Sequence, residues 1–440
     1  MEKNIKELLG GRIVNTRVLT NQQISQLMSL GSKKYPVIYQ EGSQYFCRRC
    51  LTEIDLADFH DQKMYCRACL NFGKLRKGDE LIITNSNLSF HIPKTPMTWQ
   101  GQLTNLQDTV AQETKSAFQK QQDHLIWAVT GAGKTEIIYP LINEALLQNK
   151  RVAICSPRVD VCLELQPRLQ QAFRNVPIGL FHGQSQTSYF PTPIMISTVH
   201  QLIRFESAFD LIIVDEVDSF PLAGDEMLHQ AIYKAKKDSG SITYLSATPP
   251  VELLANVKTK KISLSKLYQR FHGHPLPEPQ THLLLKKSQF LGINPRIKKM
   301  LSSLIKSQTR FMLFFPRIPE MLQFAVSLQK KWPNLKFVTV SSKDSERLKK
   351  VQQFREERAS AILTTTILER GVTFHKVAVI VIDADSEEFS KTALIQIAGR
   401  AGRFKDAADD LVHFFYQYYD QKIKSACCQI KQINQQAVNK

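Results

Sequence analysis

The run Ala128-Val129-Thr130-Gly131-Ala132-Gly133-Lys134-Thr135 combines small residues with an ammonium and a hydroxyl. It follows an apolar stretch and precedes a helix-forming one, a setting in which successive backbone N–H groups can face one anion. The glycines permit that backbone, Lys134 reaches the β- and γ-phosphates, and Thr135 offers its hydroxyl to Mg2+. The match is to GxGKT, because Ala128 stands where the longer GxxxxGK[ST] pattern has its first glycine. Thr130, Gly131, Ala132, Gly133, Lys134 and Thr135 are therefore the expected phosphate-binding residues. Eighty residues beyond Thr135, Asp215-Glu216-Val217-Asp218 closes the apolar run DLIIV. A carboxylate at a strand end is what a hard cation beside a phosphate loop requires, which assigns Asp215 to Mg2+. Glu216 is then placed to orient or deprotonate an attacking water. The two elements together imply nucleoside triphosphate hydrolysis.

A second constellation precedes these. Cys47-Arg48-Arg49-Cys50 and Cys66-Arg67-Ala68-Cys69 form CxxC-x15-CxxC, the short edge of the four-cysteine zinc pattern. Each CxxC makes a knuckle, and two knuckles close a tetrahedron around Zn2+ that is structural rather than catalytic. A redox role would need a thioredoxin-like context, which is missing. Cys155, Cys162, Cys427 and Cys428 lack ligand spacing and read as ordinary thiols. Arg48, Arg49, Lys63, Arg67, Lys74, Arg76 and Lys77 crowd the module, interleaved with Tyr45, Phe46, Tyr65 and Phe72. Such aromatics either pack a tiny core or stack on bases while the cations follow phosphates.

The elements that must position these residues alternate. HLIWAV (124–129), RVAICS (151–156), PIMIST (193–198), DLIIVD (210–215) and ITYLS (242–246) are short apolar runs separated by helix-length segments. The pattern returns with RFMLFF (310–315), KFVTVS (336–341), AILTTT (361–366), VAVIVID (377–383) and LVHFFY (411–416). Continuous apolar strands of this kind belong to parallel sheets covered on both faces. The expected fold class is α/β, with two parallel-sheet lobes preceded by a small four-cysteine zinc-binding module. The expected boundaries are 1–95 for the N-terminal region (module about 45–75), 96–250 for the first lobe, 251–295 for a basic interlobe segment and 296–440 for the second lobe. From Leu253 to Pro319 there are thirteen Lys or Arg and one acid, Glu278, a run that includes Lys258, Lys286 and Lys287.

Over the 440 residues, 58 Lys+Arg stand against 40 Asp+Glu, for a net charge of +18. That surplus points to a polyanion, nucleic acid ahead of an anionic membrane surface. At 43% hydrophobic, the chain can build real cores. No stretch approaches the ~20 apolar residues of a membrane span, and the N-terminus lacks the apolar core of a signal peptide. The expected location is cytoplasmic.

From Trp99 to about residue 404 the chain resembles a superfamily 2 helicase with two RecA-like lobes, on an ordered series of motifs. Trp99-Gln100-Gly101-Gln102-Leu103-Thr104-Asn105-Leu106-Gln107 is similar to the adenine-recognising Q element, with Gln107 as reader, which favours ATP. Ser156-Pro157-Arg158 and Ser197-Thr198-Val199-His200 are similar to segments that hold the nucleic-acid backbone. The resemblance thereby implies nucleic-acid roles for Arg158 and Thr198. Ser246-Ala247-Thr248 is similar to the coupling motif. Thr364-Thr365-Thr366-Ile367-Leu368-Glu369-Arg370-Gly371-Val372 is similar to motif V, implying a nucleic-acid role for Arg370 and a nucleotide role for Gly371. Gln396-Ile397-Ala398-Gly399-Arg400-Ala401-Gly402-Arg403 closely matches motif VI. It implies coupling by Gln396 and arginine fingers at Arg400 and Arg403, groups worth ~10³–10⁵ in rate in other NTPases.

The short four-cysteine module, LTNLQ, DEVD, SATPP and QIAGRAGR within one chain narrow the resemblance to the late-competence ComFA family of Gram-positive bacteria. It implies an ATP-driven, single-stranded-DNA translocase at the inner face of the cytoplasmic membrane that draws transforming DNA inward. The implied partners are single-stranded DNA, a phosphoribosyltransferase-like competence protein, the membrane DNA channel and recombination mediators, with homo-oligomerisation open. Two alternatives stay open. One is a replication-restart-type helicase, whose larger cysteine cluster lies within the second lobe. The other is an ATP-gated DNA-binding adaptor that never translocates.

Overall fold

The computed structural model describes residues 4–55, 64–183, 189–284, 294–404 and 411–438. It divides into two compact units, Met1–Trp127 with Lys134–Lys266, and Ala128–Gly133 with Leu267–Lys440.

The N-terminal region forms two small antiparallel sheets. β1 (Ile13–Asn15), β2 (Lys33–Pro36) and β6 (Glu80–Ile83) make one in the order β1-β6-β2. β3 (Ile38–Glu41), β4 (Gln44–Cys47) and β5 (Glu53–Ile54) make the other. The helix Asn21–Ser29 starts on a capping box between Thr20 and Gln23. This region packs on the first lobe through buried Arg151. Its guanidinium donates to the carbonyls of Gly10 at 2.8 Å and Thr192 at 3.1 Å and to the Tyr189 hydroxyl at 2.6 Å. Gly10 (φ +87°) is required there, because a Cβ would stand 2.7 Å from Arg151 Nη1.

The first sheet contains β7 (His124–Ala128), β8 (Val152–Ser156), β9 (Ile178–Phe181), β10 (Ile194–Thr198), β11 (Phe209–Asp215), β12 (Lys236–Ser246) and β13 (Ser263–Leu267). The order is β13-β7-β12-β11-β8-β10-β9, with parallel pairing from β7 through β9. β8 and β10 are buried at all five positions, as expected of strands covered on both faces. The second sheet contains β14 (Gln280–Leu283), β15 (Arg310–Phe314), β16 (Phe337–Val340), β17 (Ala361–Thr364), β18 (Val377–Val381) and β19 (Val412–Tyr416). Its order is β14-β19-β18-β15-β17-β16, parallel throughout.

Each of the ten apolar runs read from the sequence is a strand. The sequence reading missed β9, β13 and β14, which are sheet edges. β13 and β14 mix polar with apolar residues, as exposed edges do, and β9 is a half-exposed four-residue run interrupted by Gly179. The basic stretch read as a separate interlobe segment is divided between the sheets: β13 joins the first and β14 the second. Lys63, Lys286 and Lys287 lie outside the described residues. Among the described residues, no helix is long and apolar enough to cross a membrane.

Candidate functional site

β7 ends at Ala128 and the chain turns through Thr130–Gly133 into the helical turn Lys134–Ile137. Gly131 and Gly133 adopt φ of +80° and +78°, the left-handed region that lets consecutive N–H groups converge. The loop is closed by Ala132 N–H on Val129 O at 3.2 Å, and Phe271 N–H donates to Gly131 O at 3.1 Å.

Asp215 is the last residue of β11, held between β8 and β12. Burial, then the neighbouring Glu216 charge, pushes its carboxyl up to about 7, against the pull of Lys134. The phosphate-loop lysine is thus electrostatically coupled to the carboxylate. Glu216 has φ +55°, a strained conformation for a residue with a side chain. Its Oε2 is buried without a hydrogen-bond partner among the described residues. An orphaned carboxylate oxygen beside a raised carboxyl is a donor set that a divalent cation and its waters satisfy. Thr135 and Asp215 would hold Mg2+ there.

The coupling motif Ser246-Ala247-Thr248 lies against the acids of DEVD. Both hydroxyls donate to Asp218, Ser246 Oγ to Oδ1 at 2.7 Å and Thr248 Oγ1 to Oδ2 at 2.6 Å. Thr248 N–H returns to Ser246 Oγ at 2.9 Å. The last acid of DEVD is thereby clamped by the end of β12. The spacing of DEVD gave the only sequence signal for this role.

Gln107 is the third residue of the helix Asn105–Gln119, where it closes a capping box with Thr104. Its carboxamide oxygen accepts Thr104 N–H at 2.9 Å. The oxygen expected to accept from adenine is therefore already bonded within the chain. Arg158 stands at the residue before the helix Val159–Ala172, and buried Thr198 ends β10.

In the second unit, Arg370 is 2% exposed and its Nε lies 3.4 Å from Glu369 Oε1. The residue for which the resemblance implies a nucleic-acid role is thus packed against Glu369 within motif V. Gly371 follows at φ +71°. Arg400, also buried, donates Nε and Nη2 to Glu369 O at 2.9 and 2.7 Å and Nη1 to Val372 O. Arg403 donates to Gly399 O at 3.0 Å and to Thr373 Oγ1 at 3.0 Å. The two finger candidates therefore tie motif VI to motif V, while Gln396 is buried on the helix Lys391–Ala398. Arg270, which sequence reading did not single out, is buried and donates to the carbonyls of Ala401 at 3.0 Å and Gly402. It buttresses the turn that carries both arginines.

Cys47, Cys50, Cys66 and Cys69 are buried, with all four Sγ atoms within 4.8 Å of one another. Sγ–Sγ distances are 3.7 Å for Cys47–Cys69 and 3.5 Å for both Cys50–Cys66 and Cys66–Cys69. Four thiolates about 2.3 Å from a tetrahedral zinc ion would stand about 3.75 Å apart, so the donors fit that metal. Arg49 supplies charge compensation, with Nη2 3.1 Å from Cys69 Sγ and further bonds to the carbonyls of Cys69 and Phe72, both at 2.8 Å. Contact with Cys47 chiefly, and Arg49 in addition, holds the Cys69 thiol below its usual range. Lys234, at the end of the helix Glu226–Ala235, donates to Arg49 O. The knuckle is thereby tied to the first lobe.

The helicase conserved C-terminal domain matches residues 295–405, and the res subunit of type III restriction enzymes matches residues 100–251. The chain is 37% identical to the competence protein ComFA of Streptococcus pneumoniae, covering 96% of this chain and 98% of that one. It is also 37% identical to the Bacillus subtilis ComFA, covering 90% and 86%. The replication restart protein PriA of Rickettsia prowazekii is 29% identical over only 41% of this chain and 30% of its own length. Among solved structures, the DEAD-box helicase Mss116 bound to ssRNA and UDP-BeF superposes with a TM-score of 0.59 at 15% identity, covering 74% and 73% of the chains. The Mycobacterium smegmatis helicase Lhr bound to ssDNA and AMP-PNP gives 0.56 at 16% identity, covering 77% and 50%. These establish the two RecA-like lobes. Sequence identity over nearly the whole chain establishes more: the protein belongs to the ComFA family, competence-related ATPases of the superfamily 2 helicase type.

Proposed function

We propose that this chain couples ATP hydrolysis to movement along single-stranded DNA and thereby drives uptake of transforming DNA across the cytoplasmic membrane. The observation that carries the reading is the clamp on Asp218 by Ser246 and Thr248. It joins the end of β12 to the loop that bears Asp215 and Glu216, so displacement of one strand end is felt at the other. In this mechanism Lys134 and the glycine turn hold the phosphates, and Glu216 orients the attacking water. When bound through Thr135 and Asp215, Mg2+ supplies charge neutralisation. Arg400 and Arg403 exchange their carbonyl partners for the transferring phosphoryl group, Gln396 serves in coupling, and Gly371 lets motif V approach the nucleotide. Gln107 selects adenine through its carboxamide NH2, its oxygen being held by Thr104 N–H. Arg158 and Thr198 hold the DNA backbone, and Arg370 braces motif V from within. Zn2+ on the four cysteines is structural.

The names of the two ComFA relatives support a role in competence. The partners proposed on this reading are a phosphoribosyltransferase-like competence protein, the membrane DNA channel and recombination mediators, at the inner face of the membrane. ATP turnover by the purified chain with single-stranded DNA, duplex DNA or single-stranded RNA tests the proposal. Strong stimulation by single-stranded DNA, rising with strand length and lost in Lys134→Ala, is expected. Stimulation independent of length beyond one footprint would favour a DNA-binding adaptor, and indifference to every nucleic acid would sink the motor.

A further inference from the structure

The two adjacent arginines of the first cysteine knuckle have opposite surroundings. Arg49 is buried and spends its donors on Cys69 and the turn after it. Arg48 is half-buried, and among the described residues its guanidinium meets ring faces rather than a carboxylate or carbonyl. It lies 4.3 Å from the Tyr35 ring centre and 5.6 Å from that of Tyr39. Tyr39 in turn stacks on Phe46, with centroids 5.8 Å apart and planes 30° apart. Tyr39 and Phe46 are register partners on β3 and β4. Strand alternation explains the array: Tyr45 and Cys47 face the cysteine cluster and the core, so Phe46 and Arg48 face the other way. Tyr45 and Phe72 pack against the core and also meet Lys77 at 5.1 Å and Arg204 at 5.4 Å over their rings, whereas Tyr35, Tyr39 and Phe46 meet Arg48 or each other on the opposite face.

We infer that Tyr35, Arg48, Tyr39 and Phe46 form a stacking platform for the bases of single-stranded nucleic acid, on the face of the β3–β4 hairpin opposite the cysteines. The inference rests on the nucleic-acid reading above and assigns that ligand a place outside the motor lobes. Flat π faces interleaved with a planar cation match a base, which also offers a flat face. The N–H edge of Arg48 suits a phosphate, and exposed Lys33 lies on neighbouring β2. Two acids flank the array, Glu41 on β3 and Glu53 opposite Phe46, the latter accepting from Gln44 Nε2 at 2.8 Å. An acidic peptide would find few free cations here, so the ring faces are the recognition element.

The test compares binding of the full chain to oligothymidylate and to an abasic oligomer of equal length, by fluorescence anisotropy over a salt series. Tyr39→Leu/Phe46→Leu should weaken oligothymidylate binding about 5–150-fold, the worth of one stacked base, and narrow the preference over the abasic strand. Arg48→Gln should lower the salt slope by about 0.7, one phosphate contact on a single strand. Zinc content, read with a chromophoric chelator, should stay at the wild-type level. As a check that needs no variant, photocrosslinking of wild-type protein to 4-thiothymidine-containing strands should mark Tyr35, Tyr39 or Phe46. Unchanged affinity and preference in both variants, with crosslinks confined to the motor lobes, would overturn the platform and give the face to a protein ligand. Failure of wild-type protein to bind either strand would remove instead the nucleic-acid reading beneath it.

Discussion

Three carboxylates within four residues do different work because their surroundings differ. Asp215 is raised by burial, Glu216 keeps an unpartnered oxygen, and Asp218 accepts two hydroxyls. Lys134→Ala should lower ATP turnover ~10²–10³-fold, the usual cost of removing one preorganised charge-stabilising donor. Asp218→Asn keeps the shape but removes a charge-assisted acceptor worth ~1.5–3 kcal/mol, or ~10–150-fold. The DNA-stimulated rate should therefore fall by that factor while the unstimulated rate falls less, and steady-state ATPase with and without DNA measures both. An equal fall in the two would mean that Asp218 serves chemistry alone. DEVD and SAT were both legible in the sequence, but their mutual bonding was not, because 28 residues separate Asp218 from Ser246.

At the scale of elements, the metal module and two strand histidines yield measurable consequences. Arg49 is a buried cation against a four-thiolate site. Arg49→Met should weaken zinc retention about 10–100-fold, as loss of outer-shell partners does elsewhere, which competition with a chromophoric chelator reads directly. His124 on β7 and His413 on β19 are each lowered to about 4 by burial. His124 Nδ1 lies 2.7 Å from Ser263 Oγ, and His413 Nδ1 lies 2.9 Å from His282 Nε2. Their folded values lie below the unfolded value near 6.5, so folding favours the neutral rings. Stability is then full above pH ~6.5 and is lost as pH falls towards 4, by about 1.4 kcal/mol per pH unit for each ring. Thermal midpoints between pH 7 and 5 should decline steadily, and His413→Gln should flatten the decline. A wild-type midpoint constant over that range would refute the assignment. The interior strands were readable because both faces are buried. The edges β13 and β14 were not, since half-exposed strands take mixed residues, and β9 is only four residues, broken by Gly179.

For the whole molecule, the net charge of +18 predicts salt-sensitive binding to nucleic acid. The logarithm of affinity should fall linearly with the logarithm of salt, by about 0.7 per phosphate neutralised on a single strand. A titration from low to moderate salt measures it, and a flat response would mean that the surplus charge serves solubility instead.

The parts whose chemistry is local were legible in residue order alone. A glycine turn, an acid at a strand end, paired CxxC knuckles and ten apolar runs each depend on neighbours within a few residues. Their order along the chain was sufficient to place it among two-lobed helicase-type ATPases. Which side chains meet was settled by folding. It engaged the Gln107 oxygen in its own helix start, buried Arg370 beside Glu369, and set Arg270 under the motif VI turn. It also turned Arg48 outward and Arg49 inward within one knuckle. The reason is physical: each of these fates is set by a partner brought close by sheet pairing and packing, and residue spacing carries no record of that proximity.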